Sequence, residues 1–255
     1  NQLGIVLGML IFSLVGSFID FKIVAVIGAV FDIIFCGVIW LVPNEKNEKD
    51  KESLYQRQHV PKIFIAVMLM IFQQFSGMNA ILNNIDTIML NTNISRDTNI
   101  QSALVEIAQL ISVLVACFTM DVFGRKKLWL ISSVGIIISL LLYIFSLYKT
   151  FLGYFQATVV FLLMLSFGQG YGPIPWFICH DLFPKPARLD AQMYITFGNM
   201  IASYAVVSLY PVMNSKLNDI TTIFIYACIT VFAIPFGAVF IPKKTENRDE
   251  DLTLI

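Results

Sequence analysis

The chain has 255 residues, 57% of them hydrophobic and only 13% charged, with a mean hydropathy of +0.76 and 17 basic residues balanced by 17 acidic ones. A soluble domain carries about 25% charged residues, so an ordinary globular enzyme is excluded, and a net charge of zero leaves nothing to attract nucleic acid. The charges gather between apolar stretches long enough to cross a bilayer, each crossing taking about 20 residues. The expected class is all-α, a polytopic membrane protein with the lipid bilayer as its solvent.

Eight spans are predicted, at 3–19, 23–42, 63–90, 102–120, 128–148, 152–178, 193–212 and 220–241. The chain is apolar almost from Asn1, with no initiator Met and no charged leader, which reads as part of a longer polypeptide. Gln2 opens the first span, and Gly4 and Gly8 share a face on which a neighbouring helix can approach closely. Asp32 lies inside the second span, where a carboxylate needs a partner. Residues 43–62 are the one long polar segment, and they divide 1–42, the last helices of one bundle, from a bundle at 63–241. A polar tail follows at 242–255.

The third span holds Gln73, Gln74, Asn79, Asn83 and Asn84, five amides in twelve residues. Hydrocarbon offers an amide no partner, so these side chains either join helices or line a wet path for a polar, uncharged solute. On the fourth span Ser102, Glu106, Gln109 and Ser112 share one face. The sixth carries Gly168-Gln169-Gly170-Tyr171-Gly172-Pro173-Ile174-Pro175-Trp176, which a regular helix cannot accommodate without opening its hydrogen-bond ladder. Both this span and the third exceed a straight crossing, and each is expected to be tilted, broken or extended. An indole beside amides suits a sugar ring, which has apolar C–H faces and a rim of hydroxyls.

Cys36, Cys117, Cys179 and Cys228 are scattered through apolar runs, and His59 and His180 have no ligand-spaced partners beyond the adjacent Asp181. No metal, cofactor or catalytic constellation is expected, and an intramembrane enzyme is disfavoured. Orientation follows from the basic residues: with residues 43–62 on the cytoplasmic side, that side holds thirteen of the 17 Lys and Arg. The tail is then cytoplasmic, and Asn93-Ile94-Ser95, a glycosylation sequon, faces outside.

Four stretches, in this order and spacing, resemble the sugar porters of the major facilitator superfamily, which include the facilitative hexose transporters. They are Asn1-Gln2-Leu3-Gly4-Ile5-Val6, Gln73-Gln74-Phe75-Ser76-Gly77-Met78-Asn79, Asp121-Val122-Phe123-Gly124-Arg125-Lys126, and Gly170-Tyr171-Gly172-Pro173-Ile174-Pro175-Trp176. The resemblance covers helices five to twelve of that family's twelve. It implies two six-helix bundles that rock about a central site, exposing it alternately to each side of the membrane. It also implies that Gln2, Gln73, Gln74 and Asn79 hydrogen-bond sugar hydroxyls and that Trp176 lines the cavity. Gln109 stands where the family often has a sugar-contacting asparagine, and Asn199 where it has an asparagine beside the cavity. Asp121, Gly124 and Arg125, with Asp181 and Arg188, match charged helix ends that hold the outward-facing state. Gly170, Gly172, Pro173 and Pro175 match the gating break of the tenth helix.

The sequence also departs from the family. Pro43-Asn44-Glu45-Lys46 replaces Pro-Glu-Ser-Pro-Arg, and the connector after it is short. Pro242-Lys243-Lys244-Thr245-Glu246 stands for Pro-Glu-Thr-Lys-Gly, Gly168 for a glutamate and Met200 for a tryptophan. Asn83 and Asn84 stand where many hexose transporters place two aromatics that close over the sugar. The leading expectation is transport of a glucose-like hexose across the plasma membrane, by uniport or with protons; the carboxylate that decides between them lies on the family's first helix. The alternative is a non-transporting sugar sensor or degenerate paralogue of the same fold.

Overall fold

The computed structural model describes single positions 4, 7, 8, 10, 11, 15 and 19 and the segments 21–39, 59–83, 98–148, 153–184 and 187–242. The described residues form helices, without strands. In chain order they are α1 (Phe21–Ile39), α2 (Val60–Phe75), α3 (Met78–Asn83), α4 (Thr98–Phe123) and α5 (Arg125–Tyr148). These are followed by α6 (Gly153–Ser166), a π-helical turn (Phe167–Tyr171), α7 (Ile174–Leu182), α8 (Arg188–Leu217) and α9 (Asp219–Phe240). Five stretches among them are long and apolar enough to cross a membrane: Val60–Leu82, Arg125–Leu147, Phe155–Leu182, Arg188–Leu217 and Asp219–Phe240. Two shorter apolar helical stretches, Ala25–Val38 and Val105–Met120, add to them.

Both overlong spans are broken. The first break falls between α2 and α3 at Gly77, whose φ of +80° is in the left-handed region. A Cβ there would also stand 2.9 Å from the Tyr226 ring on α9, so glycine is required twice over. The second break is the π turn between α6 and α7. Gly124 (φ +77°) separates α4 from α5, and its N–H donates to Met120 O (3.1 Å). Asn218 (φ 72°) separates α8 from α9 and accepts the Thr221 N–H at its Oδ1 (3.0 Å), an N-cap.

The broken helix α6–α7 sits centrally, with α4 and α5 against its π turn and α2 against α7. Helix α2 packs along α8, and α5 along α9. Trp129 of α5 is fully buried and stacks on Tyr171 of the π turn, with centroids 4.1 Å apart and planes 13° from parallel. Its Nε1 donates to Ala233 O on α9 (3.0 Å), and its indole fills the space a Cβ at Gly237 would need. Ser133, Ser139 and Ser146 donate to carbonyls three or four residues earlier on α5, so these hydroxyls are satisfied without water. The outer faces are apolar, with Phe118 76% and Val239 71% exposed, as expected of surfaces that meet lipid. Asp32 of α1 lines a groove of about 450 Å³ shared with Gly8, Ile11 and Val15.

Candidate functional site

The amides of the third predicted span divide into two sets of bonds. Gln74 donates from Nε2 to Asn199 Oδ1 on α8 (2.6 Å) and accepts at Oε1 from Asn79 Nδ2. Asn79 also donates to Ser203 Oγ (3.2 Å), one turn beyond Asn199. Gln74 and Asn199 are buried. The break at Gly77 makes this chain: it turns α3 so that Asn79 reaches back to Gln74, five residues earlier. The result is a polar seam between α2, α3 and α8 within an otherwise apolar bundle.

Gln73 points elsewhere. Its Nε2 donates to Tyr171 O (2.8 Å) and Gly172 O (2.7 Å), the end of the π turn. The break is satisfied from other sides as well. Ser132 of α5 accepts the Tyr171 N–H (3.0 Å) and donates to Ser166 O (2.6 Å). Ser112 of α4 donates to Leu165 O. The widened turn itself closes through Gly172 N–H to Phe167 O (2.9 Å), a five-residue loop. Its glycines permit close approach: a Cβ at Gly170 would stand 2.6 Å from Leu128 O, and one at Gly168 2.7 Å from Ser112 Cβ. Gly172 is less confined, its nearest neighbour for a Cβ being Phe167 at 3.3 Å. Pro173 and Pro175 begin α7.

Among the described residues, several buried polar atoms around this region have no hydrogen-bond partner: Gln73 Oε1, Gln109 Oε1 and Trp176 Nε1, together with the hydroxyl of Tyr226. Gln109 is buried on α4, its backbone carbonyl lying next to Gly168. Glu106, one turn earlier, is half-buried. Trp176 stands one turn past Gly172 on α7 and is half-buried against the core. Oriented donors and acceptors without protein partners suit a ligand that both donates and accepts. Among the described residues no group of His, Cys, Asp and Glu has the makings of a metal site.

A second cluster lies at the end of the bundle where α5 and α8 begin and α7 ends. Arg125 and Asp181 form an ion pair, each side chain 29% exposed. The Arg125 guanidinium also lies 5.9 Å from the Phe177 ring centre. Arg188 bonds carbonyls instead: its Nε donates to Phe183 O and its Nη2 to His180 O, both at 3.0 Å. It thereby caps the last turn of α7. Buried His59, preceding α2, faces the Phe183 ring across 5.9 Å at the same end.

The structure thus brings Gln74, Asn79 and Asn199 into one chain and places Gln73 on the break. Gln2, Asn84 and Asn93 lie outside the described residues, and for Asn83 and Asp121 only the helical backbone is described. Sequence reasoning missed Ser203 and Ser132. Ser203 follows Asn199 at i+4, a spacing that marks the shared face. Ser132 carried no signal, since a lone serine in an apolar helix is ordinarily satisfied by its own preceding turn.

The family described as "Sugar (and other) transporter" matches residues 43–251. The chain belongs to that family. It is 26% identical over 206 residues to the facilitated trehalose transporter of Apis mellifera ligustica, covering 78% of this chain and 41% of that protein. It is 30% identical over 201 residues to the D-xylose-proton symporter of Escherichia coli strain K12, covering 74% of this chain and 40% of that one. A crystal structure of a D-xylose-proton symporter superposes with a TM-score of 0.78 at 25% identity, over 95% of this chain and 62% of that chain. The chain therefore spans about two fifths of the curated relatives it matches. It is a multi-pass membrane protein with the major facilitator fold.

Proposed function

We propose that this chain is the C-terminal part of a transporter that moves a hexose such as glucose across the membrane by alternating access. One observation carries the reading. A seam of hydrogen-bonded amides, Asn79–Gln74–Asn199, runs through an apolar bundle near a broken helix at which Gln73 Oε1, Gln109 Oε1 and Trp176 Nε1 stay buried without partners among the described residues. Leaving such atoms unsatisfied costs roughly 1–3 kcal/mol each. A sugar repays this cost, because every hydroxyl both donates and accepts and the ring's C–H faces suit the indole.

In this reading Gln2 completes the sugar contacts from the preceding bundle (1–42), and the connector (43–62) lets the two bundles rock. Asn83 and Asn84, past the Gly77 break, close the outer side with amides in place of aromatics. The Arg125–Asp181 pair, with Asp121 and Arg188 nearby, holds the inner end shut until the sugar arrives. The connector and the C-terminal tail face the cytoplasm of a plasma-membrane protein. The relatives' names extend the substrate class to xylose and trehalose, so pentose and disaccharide belong in the same assays as glucose.

The deciding experiment is uptake of radiolabelled D-glucose, D-xylose and trehalose by the full-length protein in cells lacking their own sugar transporters. Saturable uptake of at least one supports transport, and acceleration of uptake by an inward proton gradient separates symport from uniport. Sugar binding without uptake, with the protein confirmed at the surface, replaces this reading with the sensor.

A further inference from the structure

The tenth-helix break frees two particular carbonyls. Pro175 has no N–H, so Tyr171 O, four residues before it, loses its helical donor. Trp176, the helical donor to Gly172 O, bonds Pro173 O instead (3.1 Å) in a tightened turn. Both orphaned carbonyls are taken by one side chain, since Gln73 Nε2 reaches Tyr171 O at 2.8 Å and Gly172 O at 2.7 Å. Two facing carbonyls fix which end of the amide is nitrogen, and both its hydrogens are used. Gln73 is 3% exposed, and its Oε1 is left buried without a partner among the described residues.

We propose that Gln73 is a positioning residue that braces the broken helix from α2 and thereby sets where Trp176 stands, while offering the substrate a hydrogen-bond acceptor only. The brace follows from the bonds themselves; its bearing on substrate rests on the sugar-site reading above. The two neighbouring glutamines then differ in kind. Gln74 belongs to the seam with Asn79 and Asn199, and Gln73 belongs to the backbone at the end of the π turn. A hydroxyl that meets Gln73 must act as the donor.

The test uses the full-length protein in lipid nanodiscs and begins without sugar. Gln73→Glu keeps the length and an acceptor but removes both donors, and Gln73→Met removes donors and acceptor alike. Losing two buried bonds raises hydrogen exchange of the Trp176 and Phe177 amides by about tenfold or more, with peptides from α5 and α8 unchanged. Where Gln73→Met fails to fold, Gln73→Asn, which falls one methylene short of the carbonyls, takes its place. Unchanged exchange at Trp176 and Phe177 in the folded variants overturns the brace. This arm involves no sugar, so it stands or falls apart from the transport reading.

The second arm is uptake of radiolabelled D-glucose and D-xylose. Gln73→Glu raises KM by about tenfold in the wild-type background, but less than about twofold once Trp176→Phe has removed the group it positions. Full effects in both backgrounds show Gln73 acting independently of Trp176 and overturn the positioning role.

Discussion

Gln74 has both ends of its amide engaged, with Asn199 and with Asn79, and it is the residue whose loss is least replaceable. Truncation to alanine takes from Asn199 Oδ1 its Gln74 donor and from Asn79 one of its two acceptors, Ser203 Oγ remaining, each unmade bond costing roughly 1–3 kcal/mol. Gln74→Ala and Asn79→Ala are expected to cut sugar uptake by about a hundredfold if both costs fall on the bound state, with surface amount unchanged by biotinylation. Uptake equal to that of the unaltered protein in both variants would remove these residues from the site. The glycines differ among themselves in what they tolerate. Gly170→Ala drives a Cβ to 2.6 Å from Leu128 O, whereas a Cβ at Gly124 meets nothing within 4 Å and strains only the left-handed backbone. Gly124→Ala is expected to cost about 1 kcal/mol and Gly170→Ala clearly more, since α5 must move away. Thermal unfolding of the two variants in detergent should rank them in that order.

At the scale of elements, the break in α6–α7 is held from three helices: Ser112 on α4, Ser132 on α5 and Gln73 on α2. A run of glycines and prolines suggests a loose hinge, yet here the backbone groups at Leu165, Ser166, Tyr171 and Gly172 each receive a side-chain bond. Ser132→Ala removes the side-chain bonds to the Tyr171 N–H and Ser166 O together, and is expected to lower the melting temperature by several degrees at about 2–4 °C per kcal/mol. A melting curve superposable on that of the unaltered protein would contradict the clamp. The Arg125–Asp181 pair is part-exposed and contributes little to stability, on the order of 1 kcal/mol or less. In the proposed mechanism its effect falls on the balance of states. Asp181→Arg combined with Arg125→Asp should restore uptake that either single change reduces.

The same elements show how far the sequence could be read. The helical, membrane-spanning class follows from apolar runs of bilayer length, and the two breaks lie in the two spans too long for a straight crossing, the second at its run of Gly and Pro. The equal treatment of Gln73 and Gln74 did not anticipate their separate bonding, because adjacent helical residues point about 100° apart and only the partner helix decides what each meets. Arg188 reads as part of a charged cluster of helix ends, and in the structure its guanidinium donates to Phe183 O and His180 O at the end of α7, which no sequence pattern signals. Ser132 was illegible, since its bonds exist only once α5 lies on the π turn.

Across the whole molecule, the positive-inside pattern, thirteen of 17 basic residues on one side in the proposed topology, gives an expected orientation that experiments on cells can check. Endoglycosidase treatment of the protein from a glycosylating host should shift its mobility, and Asn93→Gln should abolish the shift. A tail-specific antibody should stain only permeabilised cells; staining of intact cells would invert the topology. The central claim is that the amide seam handles sugar during transport. It is tested most directly by radiolabelled D-glucose uptake in transporter-null cells, comparing the full-length protein with Gln74→Ala and Asn79→Ala at matched surface amounts. The account predicts saturable uptake that both substitutions abolish; absence of uptake by the unaltered protein at the surface, or uptake indifferent to both substitutions, would contradict it.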